Sequence, residues 1–408
     1  MQRGRSNLLN QMLLDAEERF IPFSMLIEVT HRCNFDCVHC YQAHQHKATR
    51  QELSTDEWCQ VLEQARDLGT FFLTISGGEM LVRRDWFEIA QHARRKGFVL
   101  KLYTNGSMIT PQIADRMAEL DVMGVEVSVY SHTSTVFDEV TQRKGSFART
   151  IQGIRLLSER NIPVTIKTPI MRQNVDSYKE LLALAEELGV YYIFDPQLVP
   201  RNDGDLTPLQ YQVDNAELAA LYNDPALYDQ PCNVNESAKS DKENLLAVYD
   251  RVMNSAPCGS GRRIVVVDPY GEVYGCLQMM STNGNIRQRT LSDIWWNGEN
   301  FREVRTKLRK DLVRCETCPG PPHCKPCMGL SLMEHGEILG RSKIACRQNH
   351  LRWQRAMAAR GTEVDIPEWL GGNPKGELPA LRQASAIATP ITIMARESFQ
   401  QLKKPQGV

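Results

Sequence analysis

Residues Cys33-Asn34-Phe35-Asp36-Cys37-Val38-His39-Cys40 place three cysteines in a C-x3-C-x2-C pattern. They follow an apolar run, Met25 to Val29, that predicts the end of a strand, so the cysteines are expected on a loop. Three thiolates on a short loop can bind three irons of a cubane 4Fe–4S cluster and leave the fourth iron free for a small molecule. The alternative is a structural zinc site, to which His31 or His39 could contribute the fourth ligand.

A second motif, Ser76-Gly77-Gly78-Glu79, ends the strand predicted from Phe71 to Ser76. Two glycines allow a ligand to approach the backbone closely, and the Glu79 carboxylate can accept hydrogen bonds from an ammonium group. Together, the cysteine loop and this Gly-Gly-Glu motif resemble the radical S-adenosylmethionine (SAM) superfamily. The chain departs from the family pattern at Met80, which replaces a proline, and at His39, where an aromatic residue is usual.

This resemblance implies a role for each motif. Cys33, Cys37 and Cys40 would bind a 4Fe–4S cluster, and the amino and carboxylate groups of SAM would chelate its open iron. Gly77, Gly78 and Glu79 would contact SAM. The two motifs together favour a SAM-binding cluster over the zinc alternative.

Length, charge and cysteine usage limit the class of protein. The 408 residues suffice for two domains, or for one large domain with an appendage. A net charge of −1 argues against a general nucleic-acid or membrane-surface binder. No apolar run reaches the length of a membrane span, and charges among the first residues argue against a signal peptide. Twelve cysteines in short-spaced clusters favour cluster or metal binding in a reducing cytoplasm.

Strands and helices alternate from the cysteine loop to about residue 200. The capping box Ser54-x-x-Glu57 marks the start of the first of these helices. Such alternation predicts parallel strands with crossover helices, and the resemblance implies an α/β fold with a partial (β/α)6 TIM-like barrel. The predicted strands are Met25–Val29, Phe71–Ser76, Val99–Thr104, Val125–Val129, Val164–Thr168 and Tyr191–Leu198.

In a barrel of this kind, polar residues at the carboxyl ends of the strands face the site. Asn105 and Ser128 are therefore predicted to contact SAM, with turn formation as the alternative for Asn105-Gly106. Other polar residues at these strand ends, without an assigned role, are Tyr130, His132, Lys167, Asp195 and Gln197.

The chain becomes rich in cysteine from Cys258 onward. Seven cysteines, with Gly271-x4-Cys276 among them, resemble the SPASM domain, a cysteine-rich extension that carries two auxiliary iron–sulfur clusters. The family pattern has three residues between the last two cysteines of the central group, whereas only Lys325 and Pro326 intervene here. The seven are Cys258, Cys276, Cys315, Cys318, Cys324, Cys327 and Cys346.

The resemblance also implies how these cysteines share two clusters. Cys258, Cys276 and Cys327 would bind an inner cluster near SAM, whose fourth position is an open iron or Cys232. The alternative is a zinc ribbon formed by the four central cysteines. Cys59, in a predicted helix, is interpreted as a small hydrophobic residue. The outer cluster would be bound by Cys315, Cys318, Cys324 and Cys346.

These patterns predict five segments. Residues 1–22 are a helical lead-in, 23–200 the radical SAM partial barrel and 201–257 a bridging segment. Residues 258–350 are the SPASM domain and 351–408 a C-terminal tail.

The resemblance implies an oxidoreductase that uses SAM and three 4Fe–4S clusters to form a 5′-deoxyadenosyl radical. The radical would abstract hydrogen from a substrate C–H, which is then oxidised or cross-linked. The expected substrate is a ribosomally synthesised peptide, presented directly or by a separate leader-binding protein. The electron donor would be a flavodoxin or ferredoxin. Leu277, where sulfatase-maturing members have an aspartate, argues against that role.

Two alternatives remain at this stage. Within the superfamily, the enzyme could act on a small molecule or tetrapyrrole. Outside it, the chain could be an iron–sulfur electron carrier or a zinc-stabilised regulator, although neither needs a SAM pocket.

Overall fold

A computed structural model describes residues 2–43, 50–227, 250–312 and 324–358. Six parallel strands lie side by side in the order in which the chain forms them. The predicted α/β fold with a partial barrel is confirmed. The strands are β1 (Ser24–Glu28), β2 (Phe72–Ser76), β3 (Val99–Thr104), β4 (Gly124–Ser128), β5 (Val164–Pro169) and β6 (Tyr191–Asp195).

Helices cover the outer face of this sheet, and the hydrophobic core lies between the two layers. The predicted capping box is present, because the Ser54 hydroxyl accepts from the Glu57 N–H and the Glu57 carboxylate accepts from the Ser54 N–H. The helix that it starts buries Trp58, Val61 and Leu62. The helices are α1 (Gln2–Glu18), α2 (Thr55–Asp67), α3 (Trp86–Arg95), α4 (Pro111–Glu119), α5 (Ser134–Thr141), α6 (Ser146–Ser158), α7 (Tyr178–Glu187), α8 (Asn215–Asn223), α9 (Leu291–Asn297), α10 (Glu299–Thr306), α11 (Met328–His335) and α12 (Lys343–Ala358).

The cysteine-rich region is joined to the barrel by two further strands. β7 (Ile264–Val267) pairs in parallel with β1, with Ile27 opposite Val267, and β8 (Val273–Tyr274) continues the sheet in the antiparallel sense. The four apolar residues of β7 are largely buried in this position. β1 therefore lies between β2 of the barrel and β7 of the second cysteine region, and it leads directly into the first cysteine loop.

Strands β1 to β5 lie within one residue of their predicted bounds, whereas β6 ends three residues earlier than predicted. β6 ends at Asp195 and not at Leu198, because the Asp195 carboxylate accepts from the Gln197 N–H and turns the chain out of the strand. The predicted start of the tail at residue 351 falls inside α12, which packs against α8. Among the described helices, none has both the length and the apolar character needed to cross a bilayer.

Candidate active site

A cavity of about 240 Å³ opens at the carboxyl ends of the barrel strands. The two motifs singled out in the sequence, far apart along the chain, both contribute residues to its walls. Its walls also contain both predicted SAM contacts at strand ends and four of the five polar residues without an assigned role. Predicted residues that line it are Cys33, Cys37, Cys40, Gly77, Gly78, Asn105, Ser128, Tyr130, Lys167, Asp195 and Gln197.

The cysteine loop is held in place by α5, a helix absent from the sequence prediction. The Asp36 N–H donates to the Thr141 carbonyl at 3.1 Å, and the Val38 N–H donates to the Val140 carbonyl at 3.0 Å. The Cys37 thiol lies 3.7 Å from the hydroxyl of Tyr130. The carbonyl groups at the C-terminal end of α5 thus accept hydrogen bonds from the segment between the first and last cysteines.

Asn105 fixes the other side of the same loop. Its side-chain amide donates to the side-chain oxygen Oδ1 of Asn34 at 2.8 Å, while the Asn34 side-chain amide donates to the Ser107 hydroxyl at 2.9 Å. The Asn105 side-chain oxygen accepts from the N–H and hydroxyl of Ser107. Asn105 therefore forms the turn that was the alternative prediction, and it also lines the cavity. Turn formation and contact with SAM are thus compatible roles for this residue.

Glu28, at the end of β1, anchors the residues that follow Cys40. Its buried carboxylate accepts from Tyr41 at 2.8 Å and from Gln42 at 2.7 Å, and lies 3.1 Å from His31. Burial favours a higher pKa for Glu28, but these hydrogen bonds outweigh it and hold the pKa below its usual value. A buried glutamate in an otherwise apolar strand is a sequence signal that could have identified this anchor.

The three thiols of the loop suit an iron–sulfur cluster. Burial raises the pKa of Cys33 to about 12 and that of Cys40 to about 11, and the pKa of Cys37 is raised as well. Neighbouring thiols raise the pKa of Cys33 and Cys37 further. The site therefore favours the thiolate form of these cysteines only when a cationic group lies beside them. In the described residues, no three His, Cys, Asp or Glu side chains converge on one point, as a single metal ion requires. A cubane instead places each cysteine on a different iron.

Gly77 and Gly78 bring the end of β2 against the backbone of the cysteine loop. A Cβ on Gly77 would lie 2.4 Å from the Thr30 carbonyl oxygen, and one on Gly78 would lie 2.5 Å from that of Arg32. The Gly78 and Glu79 N–H groups donate to Thr30 and Arg32 at 2.8 and 2.9 Å. The glycines thus position the loop in addition to lining the cavity.

Glu79 lies beneath the cavity wall and does not line it. Its carboxylate, 1% exposed, accepts from the Thr104 hydroxyl at 2.8 Å, the Asn105 N–H at 2.6 Å and the Leu81 N–H at 3.0 Å. Burial raises its pKa, although these donors oppose the rise. The side chain joins the ends of β2 and β3, and the motif meets the cavity through Gly77 and Gly78.

We expect Glu79→Gln to lower the free energy of unfolding by about 1–3 kcal/mol, because one amide N–H would face a buried donor. Urea unfolding of the cluster-free protein measures the change. Glu119→Gln, at an exposed position of α4, is the matched control and should have little effect. An equally small effect at Glu79 would contradict the structural role described here.

A group of buried charges occupies the barrel wall below the strand ends. Glu126 lies 2.7 Å from the Lys101 amine and 3.5 Å from that of Lys167, which sits over the Tyr103 ring at 4.7 Å. Tyr103 and Glu126 line the cavity but were absent from the prediction. The polar residue in Val125-Glu126-Val127 alternates with apolar neighbours, and this pattern could have identified it. His132 does not line the cavity.

Asp195 is a carboxylate of this wall with an oxygen that accepts no hydrogen bond. Oδ1 accepts from the Gln197 N–H, whereas Oδ2 and the Gln197 side-chain nitrogen are buried without hydrogen-bond partners. Burial raises the pKa of Asp195 to about 6. Buried polar atoms without partners destabilise the fold, so their place on a cavity wall favours a role in ligand contact.

The raised pKa of Asp195 predicts a pH-dependent gain in stability for Asp195→Asn. The folded state holds the proton up to about pH 6, whereas an unfolded aspartate releases it near 3.8, so folding stability falls as pH rises between these values. We expect the variant to be more stable by about 1–3 kcal/mol at pH 8 and by less at pH 5. Urea unfolding of the cluster-free protein at both pH values tests this. The exposed control Asp67→Asn should change the free energy of unfolding little. Equal gains in stability at both pH values for Asp195→Asn would contradict the prediction.

The second cysteine region brings Cys258, Cys276 and Cys327 together. Burial raises the pKa of each thiol, that of Cys276 to about 11. Cys258 adds to the rise at Cys276, and both of them add to the rise at Cys327. Cys327 is the N-cap of α11, where its sulfur accepts from the Leu330 N–H at 3.4 Å. These are the three residues that the resemblance assigned to the inner cluster.

The remaining predicted ligands can be followed only in part. Cys324 and Cys346 lie in described segments, with Cys346 in α12. Cys315, Cys318 and Cys232 lie outside the described residues. Cys59 lies within α2. Leu277, directly after Cys276, lines the cavity, so the inner group of cysteines borders the barrel site.

Both the barrel and the cysteine-rich region match known protein families. The model of the radical SAM superfamily matches residues 27–185, and that of an iron–sulfur cluster-binding domain, SPASM, matches residues 258–319. The chain therefore carries a radical SAM domain and a SPASM domain, which implies binding of SAM and iron–sulfur clusters.

Curated relatives and solved structures agree with this assignment. An AdoMet-dependent heme synthase of Methanosarcina barkeri is 28% identical over 76% of this chain and 93% of its own length. A PqqA peptide cyclase of Xanthomonas euvesicatoria is 27% identical over 91% of this chain and 98% of its own. The crystal structure of Streptococcus suis SuiB bound to precursor peptide SuiA has the same fold. It superposes with a TM-score of 0.61 at 17% identity, covering 80% of this chain and 76% of SuiB.

Proposed function

We propose that this chain is a radical SAM oxidoreductase that abstracts hydrogen from a ribosomally synthesised peptide and oxidises or cross-links it. The observation that carries the proposal is the shared cavity, because the three-thiol loop, the Gly-Gly backbone and Leu277 beside Cys276 meet there. When bound, the cluster and SAM would supply a 5′-deoxyadenosyl radical at this place. Similarity to a peptide cyclase over nearly the whole chain supports a peptide substrate.

The residues of the chain would bind and orient the reactants. Cys33, Cys37 and Cys40 would hold the SAM-binding cluster. Gly77, Gly78, Asn105 and Ser128 would contact SAM, with Glu79 acting from beneath through the backbone that it fixes. Lys167, Asp195 and Gln197 would meet the substrate side chain, since their polar groups face the same cavity.

Two auxiliary clusters would make three 4Fe–4S clusters in total. The inner cluster would be held by Cys258, Cys276 and Cys327. Cys276 directly precedes Leu277, which lines the cavity. This proximity supports a route by which an electron leaves the substrate. The outer cluster would use Cys315, Cys318, Cys324 and Cys346. A flavodoxin or ferredoxin in the cytoplasm would reduce the SAM cluster, and a leader-binding protein could present the peptide.

A deuterium-transfer experiment tests the proposed function. The reconstituted enzyme is reduced with dithionite and incubated with SAM and a deuterated peptide encoded beside its gene. We expect deuterium in 5′-deoxyadenosine and a peptide that has lost at least two hydrogen atoms, one of them the transferred deuterium. A Cys33→Ala variant should yield neither product. Formation of 5′-deoxyadenosine without transfer from any such peptide would contradict a peptide substrate.

A tetrapyrrole substrate is the second candidate, because the heme synthase is similar over 76% of this chain. Incubation with porphyrin precursors under the same conditions distinguishes the two, since a modified porphyrin would support the second candidate.

A further inference from the structure

Gln278 lies between two thiols of the inner cysteine group. Its backbone N–H donates to Cys276 Sγ at 3.4 Å, and its side-chain Oε1 accepts from Cys327 Sγ at 3.2 Å. The residue is 3% exposed, and its side-chain Nε2 is buried with no hydrogen-bond partner. A buried amide thus contacts one thiol and leaves its donor unsatisfied.

The position of Gln278 is fixed by the start of α11. A Cβ on Gly329 would lie 2.4 Å from the Gln278 carbonyl oxygen, so the helix backbone packs directly on this residue. Cys327, the N-cap of the same helix, is held by the Leu330 N–H. The distance between the Gln278 amide and the Cys327 thiol is therefore fixed. The terminal amide can still rotate about the bond that joins it to the rest of the side chain.

When the Cys327 thiol loses its proton, its sulfur becomes an acceptor. The atom of the Gln278 amide that suits the contact then changes from Oε1 to Nε2. A ligating cysteine is a thiolate, and Oε1 beside a thiolate would place two acceptors together. A half-turn of the amide exchanges Oε1 and Nε2 within the same volume. The buried N–H then gains an acceptor, and the thiolate gains a donor.

We propose that Gln278 donates an N–H···S hydrogen bond to Cys327 in the cluster-loaded protein and raises the reduction potential of the inner cluster. A hydrogen bond to a ligand sulfur stabilises the additional negative charge of the reduced cluster. Gln278 is a positioning and tuning residue, and it is not a fourth iron ligand. Terminal ligands on different corners of a cubane diverge, whereas its side-chain oxygen lies only 3.2 Å from Cys327 Sγ. The proposal rests on the proposed assignment of Cys327 to that cluster.

Redox titration followed by electron paramagnetic resonance tests the proposal on the full-length reconstituted enzyme. In Gln278→Leu, which keeps the bulk but removes the donor, we expect unchanged iron content and a lower potential for one cluster. At a fixed potential, the ratio of reduced to oxidised inner cluster should fall about tenfold, which corresponds to about 59 mV for one electron. Gln278→Glu, which has the same shape and lacks the N–H, should shift the potential in the same direction.

Gln64→Leu is the matched control, because its amide accepts from Leu291 in a distant part of the fold and should leave every potential unchanged. A potential that stays the same or rises in both Gln278 variants, with iron retained, would overturn the proposal. Loss of iron from the inner cluster in Gln278→Leu would also overturn it, since that result indicates a ligand.

A measurement on the unsubstituted enzyme keeps the proposal testable even where the variants fold poorly. Pulsed electron paramagnetic resonance on enzyme labelled with glutamine that carries ¹⁵N only in its side-chain amide should show a ¹⁵N coupling to the reduced inner cluster, and its absence would refute the hydrogen bond. An unsubstituted enzyme without an inner-cluster signal would instead refute the proposed function. The two failures are therefore distinguishable.

Discussion

Replacement of Cys33, Cys37 and Cys40 together by alanine is expected to remove about four of roughly twelve irons and to abolish SAM cleavage. The three thiols line one cavity wall, and each would hold a different iron of a single cluster. The auxiliary clusters should remain, because their proposed ligands lie in another part of the chain. Iron and sulfide content after anaerobic reconstitution and the yield of 5′-deoxyadenosine provide the measurement.

Cys59→Ala is the control for this triple variant, since Cys59 lies in α2 and is not a predicted ligand. Its iron content should equal that of the unsubstituted protein. Full iron retention in the triple variant would show that the loop does not bind a cluster. About four irons with stoichiometric zinc in the unsubstituted protein would instead assign the C-terminal cysteines to a zinc site.

The parts of the fold that short stretches of sequence encode were predictable. β3 is found with the predicted bounds Val99–Thr104, and the Ser54 capping box starts α2 as predicted. Both signals are local, because apolar alternation and an N-cap depend only on neighbouring residues. Each motif of the barrel site is also a short stretch of sequence, and their meeting was predictable because the carboxyl ends of strands in a parallel barrel converge.

The support of the cysteine loop was not predictable from local signals. α5 has the sequence Ser-Thr-Val-Phe-Asp-Glu-Val-Thr, and its β-branched residues disfavour a helix. Tertiary contacts stabilise it, with Phe137 and Val140 buried in the core. Its contacts with Asp36 and Val38 join segments about a hundred residues apart, which no local pattern indicates.

The pairing of β7 with β1 was missed for a similar reason. Four apolar residues, Ile264–Val267, indicate a short strand but not its partner, which lies near the other end of the barrel sequence. The Gly-Gly-Glu motif also did not predict the direction of the Glu79 side chain. A Gly-Gly-Glu sequence places a carboxylate near the strand end, whereas the Asn105 and Leu81 N–H groups turn it into the protein.

Gly78→Ala is expected to destabilise the protein by about 3 kcal/mol and to lower the occupancy of the SAM-binding cluster. A Cβ at this position would lie 2.5 Å from the Arg32 carbonyl oxygen and 2.6 Å from that of His31. These are backbone atoms, so no side-chain rotation relieves the clash, and the loop before Cys33 must move away. That movement breaks the hydrogen bonds from Gly78 to Thr30 and from Glu79 to Arg32.

Gly189→Ala is the matched control, because no atom lies within 4 Å of the added Cβ and only its left-handed φ of +66° opposes the substitution. That conformation costs about 1 kcal/mol for alanine and involves no contact with the cysteine loop. Urea unfolding should therefore show the larger loss for Gly78→Ala, and only this variant should lose iron after reconstitution. Equal losses of stability with full iron content in both variants would show that close packing at Gly78 does not position the loop. Selective loss of iron would demonstrate that the backbone contact of Gly78 with His31 and Arg32 determines the geometry of the cluster site.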